Sequence, residues 1–435
     1  MPEQPNVFVF FTDQQRWDTV GAYGSPMDLT PALDAVADRG TLFERAFTPQ
    51  PVCGPARSCL QTGQYGTETG VWTNGIRLPD DAPHVAEQFN DAGYRTGYVG
   101  KWHLADEEPV PEDRRAGYED YWRVADLLEY SSHPYEGVVY DEDEEPVEFE
   151  GYRVDALTDM AIDFVRESVS AGEPFFCTLS HLEPHHQNDM ESYGAPDGYA
   201  WQYRNPWVPE DLAGHAGNWY EHLPDYYGIC RRLDECFRRV IDELEELGIR
   251  EDTIVAFISD HGCHFWTRNR EYKRSPHESS IRVPFVVDGP GFEDGDVSEL
   301  VTLLDLPPTL LDAAGLEVPD AMQGESTVPL TSGEADWRDD AFVQLNTREC
   351  GRVLRTERWK YVVHDPDRNG GGDISPDEYV ERYLYDLRAD PHEQRNLIGR
   401  ADHREAADAL KQRLIDRVEQ YEGHRPTIRD AAFHA

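Results

Sequence analysis

Short runs dominated by apolar, β-branched and aromatic residues recur along the first two thirds of the chain, separated by longer stretches with helical spacing. Asn6-Val-Phe-Val-Phe-Phe-Thr12, Tyr94-Arg-Thr-Gly-Tyr-Val99, Phe175-Phe-Cys-Thr-Leu-Ser180, Thr253-Ile-Val-Ala-Phe-Ile-Ser259 and Arg282-Val-Pro-Phe-Val-Val-Asp288 are short and mostly apolar. They predict strands buried on both faces. Between them, Thr30–Gly40, the stretch after Cys53, Pro83–Gly93, Asp155–Ser170, Asp225–Leu247 and Asp305–Ala314 predict helices. Thr30 is placed to cap the first of these, Pro31 sits at its first position and Gly40 follows it. The alternation predicts an α/β fold: a large mixed, mostly parallel sheet sandwiched by helices. Residues 105–150, acidic and rich in Pro and Tyr, read as an irregular surface excursion, and 188–222 as a long aromatic insertion. After about residue 335 the pattern changes. Arg352–Val363 and Tyr383–Leu387 read as strands of a small sheet, Asp365–Glu378 as a loop and His403–Tyr421 as a closing helix. The expected division is a large domain over 1–335 and a small C-terminal α+β subdomain over 336–435.

Charge changes the picture of the surface. Forty basic residues against eighty-five acidic ones give a formal charge of −45, spread along the whole chain. Such a surface repels nucleic acid and anionic membranes, so neither is an expected partner. It suits a high-salt environment, and a halophilic source is the expectation. An anionic substrate would then need a local positive pocket. Seven irregularly spaced cysteines do not form a disulfide framework pattern. The start, Met-Pro-Glu-Gln-Pro, shows no basic leader or long apolar segment, and a cytoplasmic location is expected.

The chemistry gathers where the predicted strands end, which is where open α/β sheets place their ligands. Asp13 and Gln14 follow the first strand. Gly100-Lys-Trp-His-Leu104 follows the second and sets Lys101 and His103 two apart, on one face of an extended segment. The third empties into His181-Leu-Glu-Pro-His-His-Gln187, and the fourth into Asp260-His-Gly-Cys-His264. Cys53, Pro55 and Arg57 form a Cys-x-Pro-x-Arg pattern at a helix start, where a positive field favours an anionic sulfur or oxygen. Arg268–Arg274 is locally basic in an acidic protein, which makes Arg268, Arg270 and Lys273 candidates for a positive pocket. His181, His186 and the insertion's Trp201 are candidate substrate contacts, the tryptophan by stacking on a sugar ring, although the insertion's aromatics read equally as a mini-core that pins the loop down.

These motifs, in this order, resemble the type I, formylglycine-dependent sulfatases of the alkaline phosphatase superfamily along nearly the whole chain. Lys273-x-x-x-His-Glu-x-x-x-Arg282 is similar to the family's Lys-x-x-x-Tyr-Glu-x-x-x-Arg, and Tyr385-Asp-Leu-x-x-Asp-Pro-x-Glu-x-x-Asn-Leu397 to its C-terminal signature. The resemblance implies that Cys53 is oxidised to formylglycine by a maturation enzyme reading Pro55 and Arg57, and supplies the nucleophile as a hydrated aldehyde. It implies one divalent metal held by Asp13, Gln14, Asp260, His261 and residue 53. Lys101, Lys273 and Arg57 would bind negative charge, His185 would protonate the leaving alcohol, and His103 would act as base.

Three positions depart from the common pattern. Gln14 stands where many members have Asp, His261 where many have Asn, and His277 where Tyr is usual. Calcium is the family's metal. An imidazole ligand suits Mn²⁺ better, and Mg²⁺ is a further candidate. The expected function is release of sulfate from a small sulfated substrate, an oligosaccharide. A phosphonate monoester or phosphodiester hydrolase with the same nucleophile, and a non-catalytic binding protein with an unmodified Cys53, are the alternatives.

Overall fold

A computed structural model describes residues 4–333, 336–368, 370 and 374–432. The expected boundary at 335 and part of the 365–378 loop lie outside the described residues. The central strand, Asn6–Thr12, pairs in parallel with Thr253–Ser259 on one side and Phe175–Ser180 on the other. Arg95–Lys101 and then Tyr121–Ala125 continue the parallel run. Phe285–Asp288 joins Thr253–Ser259 antiparallel and leads on to Thr41–Phe47, completing a mixed sheet of 12 strands.

The unbroken apolar character of Asn6–Thr12 follows from this position. Phe8 and Phe10 point into one core beside the helices Pro31–Ala37, Arg153–Ala171 and Trp219–Glu246. Val7, Val9 and Phe11 point into a second core shared with Val85–Asp91 and Leu306–Ala313. Because the five parallel strands run the same way, Asp13, Lys101, His181 and Asp260 all emerge along one edge.

Several elements differ from expectation. The 105–150 stretch is not an irregular excursion. Tyr121–Ala125 extends the sheet, with Trp122 and Val124 buried, and Glu136–Tyr140 pairs antiparallel with Pro146–Glu150. Their strand pattern is short and hidden among acidic neighbours. The long helix starts at Trp219 rather than Asp225 and runs through Pro224. The missing proline N–H leaves the Tyr220 carbonyl without its usual donor, and that break is what reads as a helix start. Thr30 makes no side-chain cap. The Asp234 carboxylate, from the long helix, accepts the Ala32 and Leu33 N–H groups instead.

The C-terminal region forms a second sheet of five strands, in the order Asp340–Leu345, Cys350–Thr356, Trp359–Asp365, Glu378–Asp386, Thr427–Arg429. A buried ion cluster ties it to the first sheet's loops. Lys360 Nζ lies 2.8 Å from Glu278 Oε1 and 2.6 Å from Glu393 Oε1, and Arg355 reaches Glu278 at 3.2 Å. Glu393 also accepts the Glu278 N–H at 2.7 Å. No helix among the described residues is long and apolar enough to cross a membrane.

Candidate active site

Cys53 is the first residue of the helix Cys53–Thr62 and is buried. Pro55 falls in its first turn, where no N–H is needed, and Gly63 closes it at φ +64°. Gly100, at φ +105°, lets the next strand pass against the Ser180 carbonyl, where a Cβ would collide. Lys101 can therefore turn its amine inward. One ligand atom from each of Asp13, Cys53, Asp260 and His261 lies within 4.8 Å of the others, and all four residues are buried.

The donor set fits a divalent cation. Asp260 Oδ2 is buried without a hydrogen-bond partner, which in a native interior calls for an explanation. His261 places Nδ1 3.0 Å from the Gly262 carbonyl. With Nδ1 donating, the Nε2 lone pair faces Cys53 Sγ at 3.3 Å, and Asp13 and Asp260 at 3.6 Å each. Gln14, the remaining expected ligand, meets the cluster through its backbone. Its main-chain N–H donates to Asp260 Oδ1 at 2.9 Å, while its side-chain oxygen accepts the His186 N–H at 3.1 Å and its amide nitrogen meets Cys263 Sγ at 3.3 Å.

Around the cluster the charges alternate. Lys101 Nζ bonds Asp13 Oδ2 at 2.9 Å and faces Glu129 Oε2 at 3.4 Å. Burial and Cys53 oppose ionisation of Asp13, but Lys101, His185 and Lys273 hold its carboxyl well below the usual range. Asp260, buried and beside the ionised Asp13, is pushed up to about 7. Two carboxylates pressed together in this way are stabilised by a cation between them. Burial would raise the Cys53 thiol, yet Lys101, Lys273 and His261 outweigh it and pull the thiol well below its ordinary value. Position 53 is thus built to carry negative charge.

Arg57 meets the cluster through its carboxylates. Its guanidinium donates to the Lys101 carbonyl and Ser180 Oγ, both at 2.7 Å, and to Asp13 Oδ2 at 3.2 Å, while its Nε lies 3.9 Å from Asp260 Oδ2 without a hydrogen-bond partner. It therefore positions Asp13. Lys273 Nζ sits 2.8 Å from Cys53 Sγ, 2.9 Å from His185 Nε2 and 3.3 Å from His261 Nε2. His264 and Asn269 hold it there through its main-chain carbonyl, at 3.1 and 3.0 Å. His185 lies with Nδ1 2.6 Å from the His186 carbonyl, and burial and Lys273 lower it to about 4. It is neutral at pH 7, with Nδ1 donating and Nε2 accepting from Lys273. His103, at φ +63°, lies beside Cys53 with Nδ1 buried and unpaired.

The other expected substrate contacts separate. His186 joins a wall with Tyr193 and Tyr272, its ring 5.2 Å from each, and His222 lies 5.3 Å from Tyr193. His181 instead packs 4.9 Å from Phe10 in the core, with neither ring nitrogen paired, and burial lowers it to about 3. Arg268 donates to the carbonyls of His392 and Glu393, and Arg270 is exposed. Trp201 is 68% exposed under Arg204, on a short helix that packs beside Gly228. The unexplained His277 places its imidazole 3.3 Å from Tyr385 Oη, tying the Lys273 loop to the C-terminal sheet. Glu129, Tyr272 and His222 went unread in the sequence. Glu129 lay in the acidic stretch, and only its buried contact with Lys101 marks it out.

The sequence profile named Sulfatase matches residues 5–316, and that named N-sulphoglucosamine sulphohydrolase, C-terminal, matches residues 266–420. The chain is 30% identical to the ulvan-active sulfatase of Formosa agariphila, over 95% of this chain and 81% of that one. It is 25% identical to the N-acetylglucosamine-6-O-sulfatase of Bacteroides thetaiotaomicron, over 99% and 89%. The crystal structure of a putative sulfatase from Bacteroides fragilis shares the fold, with TM-score 0.84, 23% identity and 97% of both chains covered.

Proposed function

Because this chain belongs to the sulfatase family, we propose that it releases sulfate from a sulfated carbohydrate, using an aldehyde made from Cys53 and one divalent cation. The observation that carries this reading is the contact of Cys53 Sγ with Lys273 Nζ, His261 Nε2 and Asp13 Oδ1, at 2.8, 3.3 and 3.5 Å. The names of the ulvan-active and N-acetylglucosamine-6-O-sulfatase relatives support a carbohydrate substrate. So does the His186–Tyr272–Tyr193 wall beside His185.

Asp13, Asp260, His261 and residue 53 would hold the cation, with Gln14 bracing Asp260 through its N–H. A cation there supplies neutralisation of the sulfate and lowers the pKa of a bound hydroxyl. A hydrated aldehyde at position 53 supplies one hydroxyl to attack sulfur and a second to release the product. Lys101 keeps Asp13 ionised and adds positive charge toward the transferring group. Lys273 and His185 share one proton between Nζ and Nε2, and that proton goes to the leaving oxygen as the S–O bond breaks. His103, beside position 53, takes the proton that must leave when sulfate departs. Since Cys53, Pro55 and Arg57 are all buried, a maturation enzyme would have to read them before this region closes.

The test is the mass of the tryptic peptide Ala46–Arg57 from protein made in its native host, alongside hydrolysis of an aryl sulfate. An aldehyde or its hydrate at position 53, with activity lost in Cys53→Ala, is expected. An unmodified thiol in an active enzyme would refute the nucleophile.

A further inference from the structure

On the far side of the loop that carries Lys273, a cavity of about 300 Å³ opens against the C-terminal sheet. Arg268, Arg274, Arg348, Arg368 and Arg382 line it, against two carboxylates, Glu349 and Asp365. Converging arginines are unexpected in a chain of net charge −45. Arg368 is paired with Asp365 at 3.0 Å, and the charge of the other four is only partly answered. Arg268 spends two N–H groups on main-chain carbonyls, which are neutral. Arg274 and Arg348 share a single carboxylate, Glu271, at 3.2 and 2.6 Å. Arg382 pairs with Glu349 at 3.0 Å and donates to His364 at 2.8 Å. The buried Nε atoms of Arg268, Arg274 and Arg382 have no partner. The terminal nitrogens of these guanidinium groups, rather than the buried Nε atoms, suit planar, bidentate recognition of sulfate or carboxylate.

The cavity's lining adjoins the chemistry along the chain. Lys273 sends its amine to Cys53, and the following residue, Arg274, turns through φ +64° to line the cavity. High salt shortens the Debye length to roughly 3 Å at 1 M, so a bound anion would feel these arginines rather than the acidic surface. We propose that the cavity is a second anion-binding subsite, taking a further charged group of the same substrate, so that the substrate is a polyanionic oligosaccharide rather than a singly sulfated sugar. The inference rests on the sulfatase reading for what occupies the first site.

The test uses full-length Cys53→Ser protein and isothermal titration calorimetry with three probes. These are a sulfated carrageenan hexasaccharide, its desulfated counterpart and a hexagalacturonate carrying only carboxylates. One or both anionic sugars should bind at least tenfold tighter than the neutral one, and which one does so tells sulfate from carboxylate. Arg348→Ser with Arg382→Gln should remove at least tenfold of that affinity. Glu349→Gln, which strips a carboxylate from the cavity, should tighten binding severalfold and serves if the double variant fails to fold. Equal affinity for charged and neutral sugars, or no change in either variant, would overturn the subsite. Aryl sulfate hydrolysis by the unsubstituted enzyme is measured in parallel. Activity there with cavity variants that bind unchanged would overturn the subsite alone. Inertness there with binding lost in the double variant would overturn the reaction and leave the cavity.

Discussion

Replacing Lys273 by methionine tests whether the proton for the leaving group comes from the Lys273–His185 pair. The side chain is buried, and methionine fills nearly the same volume, so packing is kept while the amine is lost. His185 then faces the site with Nδ1 committed to the His186 carbonyl and Nε2 as a bare lone pair, with no proton to give. A positioned general acid contributes roughly 10²–10⁴-fold, or about 3–5 kcal/mol in the barrier. That loss should scale with the demand for a proton. The assay is kcat/KM for a series of sulfate esters, from a nitrophenyl ester with an acidic leaving group to an alkyl or sugar ester with a basic one. The Lys273→Met enzyme should lose about 10²–10⁴-fold on the basic leaving groups and far less on nitrophenyl sulfate. A uniform loss across the series would refute the reasoning. Lys273 would then act by holding charge near Cys53 Sγ, and the acid would have to be sought elsewhere.

Three further outcomes follow from the geometry. Lys360→Met leaves Glu278 and Glu393 buried without their shared cation, and urea unfolding should show a loss of about 3–5 kcal/mol. His181 takes up a proton near pH 6.5 when unfolded but only near 3 when folded, so its neutral burial favours the fold above pH 6.5 and that preference is lost as pH falls toward 3. The loss amounts to about 2 kcal/mol at pH 5, and His181→Phe should abolish that part of the pH dependence in thermal unfolding. After chelation, Mn²⁺ should raise the unfolding midpoint more than Ca²⁺ because of the His261 imidazole, with about 2.7 kcal/mol expected at a hundredfold excess over Kd. Asp260→Asn should suppress the shift, and equal shifts in that variant would place the cation elsewhere.

The parallel strands were legible because burial on both faces leaves an unbroken apolar run, as in Asn6–Thr12 and Thr253–Ser259. The chemical residues at their ends could be read for the same reason, since the topology aligns Asp13, Lys101 and Asp260 along one edge. What the pattern could not convey was direction. The charge of Arg57 is visible in a sequence, while its partners, Ser180 Oγ and the Lys101 carbonyl, are not. His181 and His185 stand four apart in one stretch, yet one faces Phe10 and the other Lys273. Tyr121–Ala125 was hidden because a five-residue strand flanked by acidic residues carries too few positions to show its period.

The Lys360 cluster has a consequence for how such a protein can change over time. Glu278 lies five residues beyond Lys273, and its carboxylate pairs with Lys360 and Arg355 of the C-terminal sheet. Arg268, five residues before Lys273, is anchored to carbonyls of the same C-terminal region. The loop presenting the reactive lysine is therefore pinned at both ends by the last hundred residues of the chain. Those residues cannot be exchanged as an independent module that tunes preference while leaving turnover alone. Recombination with a relative's C-terminal portion should succeed only when the Lys360, Glu278 and Glu393 positions travel together, so selection for a new sugar and selection for rate act on the same few contacts.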